Sequence, residues 1–410
     1  MVRGITTSAQ TRSTNESASD QKLLTPSFIL LTVSGFFALA GFSSTLPLVP
    51  RYVDGVLGGT KVEIGLALGV FSISAVFARP MVGRLGDERG RRFIIVWGTA
   101  LTAITVAAHA LASSIWLMYL IRLAMGATQG AFFVGSATMV NDLAPVERRG
   151  EATNYFSVAV YGGMAIGPLM GETVQKATSF GWAFATGGLS LAIASVLAMR
   201  LPNDRPDPAA FASRITDSGK RILLHRPAIV PGLILMGGLV TFTALNGFMP
   251  LYIEELDLGS AGPVLLLYGL LVLAMRIAGS KVPDRIGTFR MAVVSLIGQA
   301  AGMFVMGIWA SQYGLFAGAA VLAIGGSFLY PTLLTAAVFG VPDNERARAV
   351  STFSLAFELS AGLGGPILGL SAKEWGTQAA FYGAAIAALL SLPLLVYWAL
   401  TKPHALVPPR

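Results

Sequence analysis

Stretches of about twenty mostly apolar residues recur twelve times along this 410-residue chain, and that recurrence leaves few folds open to it. Twenty such residues in a helix match the hydrocarbon thickness of a bilayer. The stretches lie near 27–49, 63–82, 93–112, 115–140, 152–172, 181–199, 228–250, 262–280, 291–310, 314–338, 351–371 and 378–399. Only 12% of residues are charged, about half the share of a soluble domain, so water on every side is excluded. The expected fold class is an all-α integral membrane protein of twelve transmembrane helices in two pseudo-symmetric six-helix bundles. Residues 1–26 form a polar, Ser/Thr-rich tail without a signal-peptide core, expected to be disordered. The bundles are assigned to 27–199 and 228–399, joined by a Pro-rich charged linker at 200–227 and followed by a tail at 400–410.

Basic residues set the orientation. Arg84, Arg89, Arg91 and Arg92, Arg148 and Arg149, Lys281, Arg285 and Arg290, and Arg346 and Arg348 fall in alternate connections, with Arg205, Arg214, Lys220, Arg221 and Arg226 in the linker. The other connections carry only Arg51, Lys61, Lys176 and Lys373. The positive-inside rule then places both termini in the cytoplasm. It also accounts for the +8 net charge without nucleic acid. Arginine in excess of lysine, with abundant Ala and Gly, suits a GC-rich bacterial genome, so the expected location is a bacterial cytoplasmic (inner) membrane.

The two halves repeat. Pro50-Arg51-Tyr52-Val53 matches Pro250-Leu251-Tyr252-Ile253 at a shift of 200, and Arg79, Asp87 and Gly90 match Arg276, Asp284 and Gly287 at 197. Glu147-Arg148 and Gly167-Pro168-x-x-Gly171 match Glu345-Arg346 and Gly365-Pro366-x-x-Gly369 at 198. Parallel six-helix repeats around a midplane site are a transporter architecture.

The segment from Gly83 to Arg92, Gly-Arg-Leu-Gly-Asp-Glu-Arg-Gly-Arg-Arg, reads as a tight Gly-bounded turn carrying an acid among four arginines. It resembles the signature loop of the major facilitator superfamily. Leu46-Pro47-Leu48-Val49-Pro50, Arg122-x-x-x-Gly126 and Gly162-x-x-x-x-Gly167-Pro168-x-x-Gly171 resemble the pattern of its twelve-helix drug:proton antiporters. The resemblance spans nearly all of 27–399. It implies alternating access, a small-molecule substrate exchanged for protons, and a monomer in the lipid bilayer. It assigns Gly83, Asp87, Arg91, Asp142, Arg148, Asp284 and Arg285 to gating contacts, with Asp142 beside Arg148. Gly162, Gly167, Pro168 and Gly171 form its helix-packing motif, which small residues explain physically by letting backbones approach. The chain departs from the pattern at Glu172, where a further glycine is usual, and in having no acid between Ile29 and Val49.

Charge at membrane depth is costly and marks function or a bonded structural role. Arg122 lies about seven residues into the fourth span, and its family counterpart is implicated in proton coupling; Ala320 holds the matching place. Glu358 lies about seven residues into the eleventh span, opposite Val160 in the repeat. A carboxyl in apolar surroundings favours its neutral form, as a proton carrier requires. Pairing with arginines near Asp87 is the structural alternative. Glu172, at the outer end of the fifth span, is the third proton-coupling candidate. Phe36, Gln129, Phe132, Tyr155, Tyr161, Asn246 and Phe357 are candidate substrate contacts, an aromatic and weakly polar set suited to amphipathic or apolar solutes.

Proton-coupled efflux of small organic compounds is the leading expectation, and import of a sugar, organic acid or other nutrient the alternative. A sugar site favours more Asn, Gln and Trp within the bundle, and an anionic substrate a second deep basic residue beside Arg122, which is not evident. A membrane enzyme or sensor is a third reading, disfavoured by scarce deep acids and three scattered histidines. With no cysteine and no GxxxxGK[ST] loop, thiol chemistry and nucleotide-driven transport are excluded, and no cofactor is called for.

Overall fold

In the computed structural model, residues 23–145, 148–203, 225–279 and 282–401 are described, with the side chains at 284, 343, 344 and 347 excepted. The described chain is helical and contains no strand. The amino-terminal half contains α1 (Pro26–Ser43), α2 (Thr45–Gly55), α3 (Lys61–Arg89), α4 (Arg91–Ala108), α5 (Ile115–Leu143), α6 (Arg149–Ala177) and α7 (Phe180–Ala198). The carboxy-terminal half contains α8 (Arg226–Gly247), α9 (Met249–Glu255), α10 (Ala261–Ala278) and α11 (Val282–Ile286). It continues with α12 (Thr288–Ile308), α13 (Gln312–Gly326), α14 (Leu329–Val338), α15 (Asp343–Trp375) and α16 (Gln378–Thr401). With each broken pair counted as one, eleven spans among the described residues are long and apolar enough to cross a membrane. The 29-residue α6 is a further helix of membrane length.

Helix starts follow side-chain capping. Ser114, Ser179 and Ser311 accept from backbone N–H groups three residues on, and Thr60 with Glu63 forms a capping box at α3. Three spans expected to be continuous are broken, at Ser44, at Phe248 and at Ser327-Phe328, each two to four residues before Pro47, Pro250 or Pro331. Proline lacks an N–H and clashes with the carbonyl four residues back. At the first break the Ser43, Ser44 and Thr45 hydroxyls donate to carbonyls of the preceding turn, so backbone freed in an apolar setting stays bonded.

The segment 83–92 is not the expected turn. Helix α3 continues to Arg89, and the chain reverses at Gly90, whose φ of 91° is open to glycine. A side chain at Gly83 would meet open space, so that glycine is not sterically required. Gly287 repeats Gly90 with φ 86°. Of the linker expected at 200–227 and the tails expected at 1–26 and 400–410, residues 204–224, 1–22 and 402–410 lie outside the described residues.

Packing across the halves runs along two helix pairs, α3 with α15 and α6 with α10. Backbone nearly touches backbone where a Cβ on Gly365 would stand 2.6 Å from the Gly65 carbonyl oxygen. We expect Gly365→Val to hold α3 and α15 apart at a cost of about 1–3 kcal/mol. The check is a fall in the melting temperature of the purified protein, larger than for Gly83→Val.

Trp116, Trp182, Trp309, Tyr313 and Trp375 are all more than half exposed. All five sit at the helix ends sharing the level of Arg51, opposite the arginine-rich connections. That is the placement of an aromatic belt at a membrane interface.

Candidate functional site

Two features lie between the halves: a charged and aromatic cluster at mid-helix depth, and a latch at the Arg51 end. The cluster begins with Glu358 on α15, fifteen residues from Asp343 and seventeen from Trp375, about 22 and 25 Å from its two ends. The Glu358 side chain is only 10% exposed and its Oε1 accepts a hydrogen bond from Arg79 on α3. Because α3 runs to Arg89, Arg79 lies about 15 Å inside that helix. The pair therefore bridges the two halves at depth, where each charge depends on the other.

Arg276 is the repeat counterpart of Arg79 and meets no such partner among the described residues. Its guanidinium carbon stands 4.4 Å from the centre of the Tyr161 ring on α6, and its Nε is buried without a hydrogen-bond acceptor. Tyr268 lies within electrostatic range of this arginine, and Tyr330 within range of Tyr161. Tyr330 joins α15 through ring contacts of 5.5 Å to Phe353 and 5.4 Å to Phe357. Of the expected substrate contacts, Tyr161 and Phe357 thus belong to this cluster.

Other expected residues lie apart from it. Gln129 and Phe132 line a small pocket inside the amino-terminal half, with Ala38, Phe42, Thr99 and Thr102. Phe36 packs 3.7 Å from where a Gly162 side chain would begin. Asn246 is buried and donates to its own helix at the Phe242 carbonyl, 2.9 Å away. Tyr155 is exposed, six residues from the start of α6. Gly167 and Gly171 face the break in the first span: a Cβ on Gly171 would stand 2.6 Å from the Ser44 carbonyl oxygen. Pro168 is buried inside α6 without breaking it.

Arg122 is buried on α5 within the amino-terminal half. Its Nε donates to the Ala67 carbonyl at 3.0 Å, and its guanidinium lies 4.7 Å from the centre of the Phe71 ring. No described carboxylate is within ion-pair distance of it.

The latch surrounds Glu172, whose side chain is 3% exposed. Its carboxylate accepts from the backbone N–H groups of Ala261, at 3.1 Å, and Gly262, at the first turn of α10. Arg51 reaches Glu172 at 3.4 Å and Glu254 of the other half at 3.0 Å. Lys61 pairs with Asp54 at 3.2 Å and across to Glu255 at 2.9 Å, while Lys176 donates to the Gly259 carbonyl. A carboxylate on helix N–H groups is favoured by their charge and dipole. The Arg51 end is therefore closed by bonds between the halves.

At the arginine-rich end, Asp142 meets Arg91 at 2.6 Å, whereas Arg148 holds Glu151 at 2.8 Å in place of the expected Asp142 contact. The first pair joins α4 to α5 and the second lies at the first turn of α6, so both stay inside the amino-terminal half. Asp87 and Arg285 are exposed, and the Asp284 side chain lies outside the described residues.

The Major Facilitator Superfamily model matches residues 31–312 and 280–410. The chain belongs to the Major Facilitator Superfamily. It is a multi-pass membrane transporter of that superfamily by kinship as well as fold. It is 28% identical over 374 residues to an uncharacterized MFS-type transporter of Salmonella typhimurium, covering 89% of this chain and 95% of the relative. A Burkholderia mallei MFS-type transporter is 27% identical over 383 residues, covering 89% and 90%. Among solved structures, a peptide transporter of the POT type superposes with a TM-score of 0.76 at 13% identity, over 92% of this chain and 95% of its own. The nucleoside transporter NupG gives 0.71 at 14%, over 92% and 99%. At such identity these share the major facilitator fold and no more.

Three of the decisive residues escape a hydropathy reading. Arg79 and Arg276 sit near the apparent ends of apolar stretches and read as loop anchors. Arg51 reads as a lone outer charge. Their common signal is the two-fold repeat, which sets Arg79 and Arg276 against the unequal positions Glu358 and Val160.

Proposed function

We propose that this transporter is a proton-coupled antiporter that exports small organic compounds by alternating access. The observation that carries the reading is Glu358, a nearly buried carboxylate bonded to Arg79 of the opposite half. Protonation removes the negative charge and frees Arg79, so the link between halves responds to a proton at the depth where a solute is bound. The carboxylate alternates between a proton and the guanidinium, and the bundles rock as it does so. The arginine-rich end faces the cytoplasm, as the positive-inside rule requires, and the Arg51 latch seals the outer end. The connections around Asp87 and Asp284, with Arg91, Asp142, Arg148 and Arg285, make and break contacts at the inner end. Export is supported by the resemblance of the α6 glycine-proline motif to that of antiporters.

Proteoliposomes loaded with a pH dye test this reading. Under an imposed pH gradient, organic solutes that the protein carries are expected to move protons in the opposite direction. Solute movement with a flat pH trace would remove proton coupling. Protons and solute moving together would replace antiport by symport.

A further inference from the structure

We infer that the transported compound carries an anionic group, a carboxylate or phosphate on an apolar or aromatic body, and that Arg276 binds it. This rests on the transporter reading above but not on the coupling ion. The argument begins with the repeat. Arg79 and Arg276 are repeat counterparts on α3 and α10, each facing a helix of the other half; Arg79 stands ten residues from the end of its helix and Arg276 in the last turn of its own. Arg79 there meets Glu358, whereas the residue equivalent to Glu358 is Val160, next to the Tyr161 that Arg276 covers. Arg79 has a counter-charge across the halves, and none meets Arg276 among the described residues.

A guanidinium whose Nε is buried between helices, with no carboxylate at ion-pair distance among the described residues, is unfavourable unless something bonds it. Tyr161 offers Arg276 a cation–π contact and a side-chain hydrogen bond, which satisfy the charge in part. The buried Nε has no acceptor among the described residues. Arginine presents its donors as a planar fork that fits a carboxylate or phosphate by two parallel hydrogen bonds. The ligand's anion would sit toward Arg276 as Glu358 sits toward Arg79. Its body would lie among the rings of Tyr161, Tyr268 and Tyr330, which accept a flat apolar surface.

The expectation of amphipathic or apolar solutes narrows accordingly. A second basic residue between the helices is present in Arg276, but it faces the Tyr161 ring of the other half.

Ligand-induced stabilisation of the purified protein at fixed pH, with no gradient, tests this directly. Three matched probe sets are used: benzoate, naphthoate and phenyl phosphate; their neutral amides and alcohols; and the corresponding benzyl and naphthyl amines. At least one anionic probe is expected to raise the melting temperature of the wild type in a dose-dependent way. Its affinity should fall at least tenfold in Arg276→Lys, which keeps the charge but loses the fork, and further in Arg276→Gln. Tyr161→Phe should retain most of it. Stabilisation by amines or amides alone, no anionic probe acting on the wild type, or full anion affinity in Arg276→Lys and Arg276→Gln would each overturn the inference. Because no proton gradient is present, loss of proton coupling in the dye assay would leave this result standing, and the reverse also holds.

Discussion

Glu358→Gln is expected to abolish proton-driven solute accumulation, lowering it at least a hundredfold, while solute exchange across the membrane persists. The side chain keeps its size and its hydrogen-bonding oxygen, so packing against α3 changes little. What it loses is the ability to hold and release a proton. Coupling requires one group whose charge differs between the two loaded forms, and an amide has one form only. Exchange of unlabelled for labelled solute needs the bundles to rock with solute bound and needs no proton cycle. Arg79→Gln should act differently: it leaves Glu358 at depth without its partner, so the carboxyl would stay protonated and the protein would be less stable as well. Measuring accumulation and exchange on the same vesicles separates these outcomes. Loss of both in Glu358→Gln would make the residue a structural or substrate contact instead.

The latch gives the second large effect. Glu172→Gln removes a charge that holds two backbone N–H groups of α10 and approaches Arg51, and charge-assisted hydrogen bonds are worth about 1.5–3 kcal/mol each. Arg51 and Lys61 are only partly exposed, so solvent screens them incompletely. A loss of about 3 kcal/mol from the closed form shifts the balance of conformations by roughly a hundredfold. The chain has no cysteine, so spin labels on Ala177→Cys and Glu374→Cys report the outer separation without background. The two positions are exposed and lie in opposite halves. The distance between them is expected to move to a longer population in Glu172→Gln. An unchanged distribution would show that glycine packing between α3 and α15 holds this end closed by itself.

Span positions and the two-fold repeat were legible because lipid imposes a length on apolar sequence and duplication leaves matched anchors such as Asp87 and Asp284. Span breaks were not, since Ser44 and Phe248 sit inside uninterrupted apolar runs and only the prolines just beyond them mark the loss of hydrogen bonds. Helix ends were read short for a related reason. Charged residues at 84–89 end a hydropathy window but not a helix, so the apolar run stops short of Arg89 and does not reveal the depth of Arg79. Glu358 stood out as the lone acid in an apolar run. Its partner did not, because Arg79 is 279 positions away and helix pairing between halves is a property of the packed bundle. The aromatic candidates show the same limit: Tyr161 and Phe357 face the cluster while Phe132, equally apolar in setting, is buried inside one half.

The central claim is that a proton on Glu358 governs the link between the halves. It is tested most directly by recording the outer distance, with the two labels above, as pH is lowered in the absence of solute. The wild type is expected to shift between two distance populations with pH, and Glu358→Gln to show the low-pH distribution at every pH. An identical pH response in the two proteins would contradict the claim and place the proton-sensitive group elsewhere in the bundle.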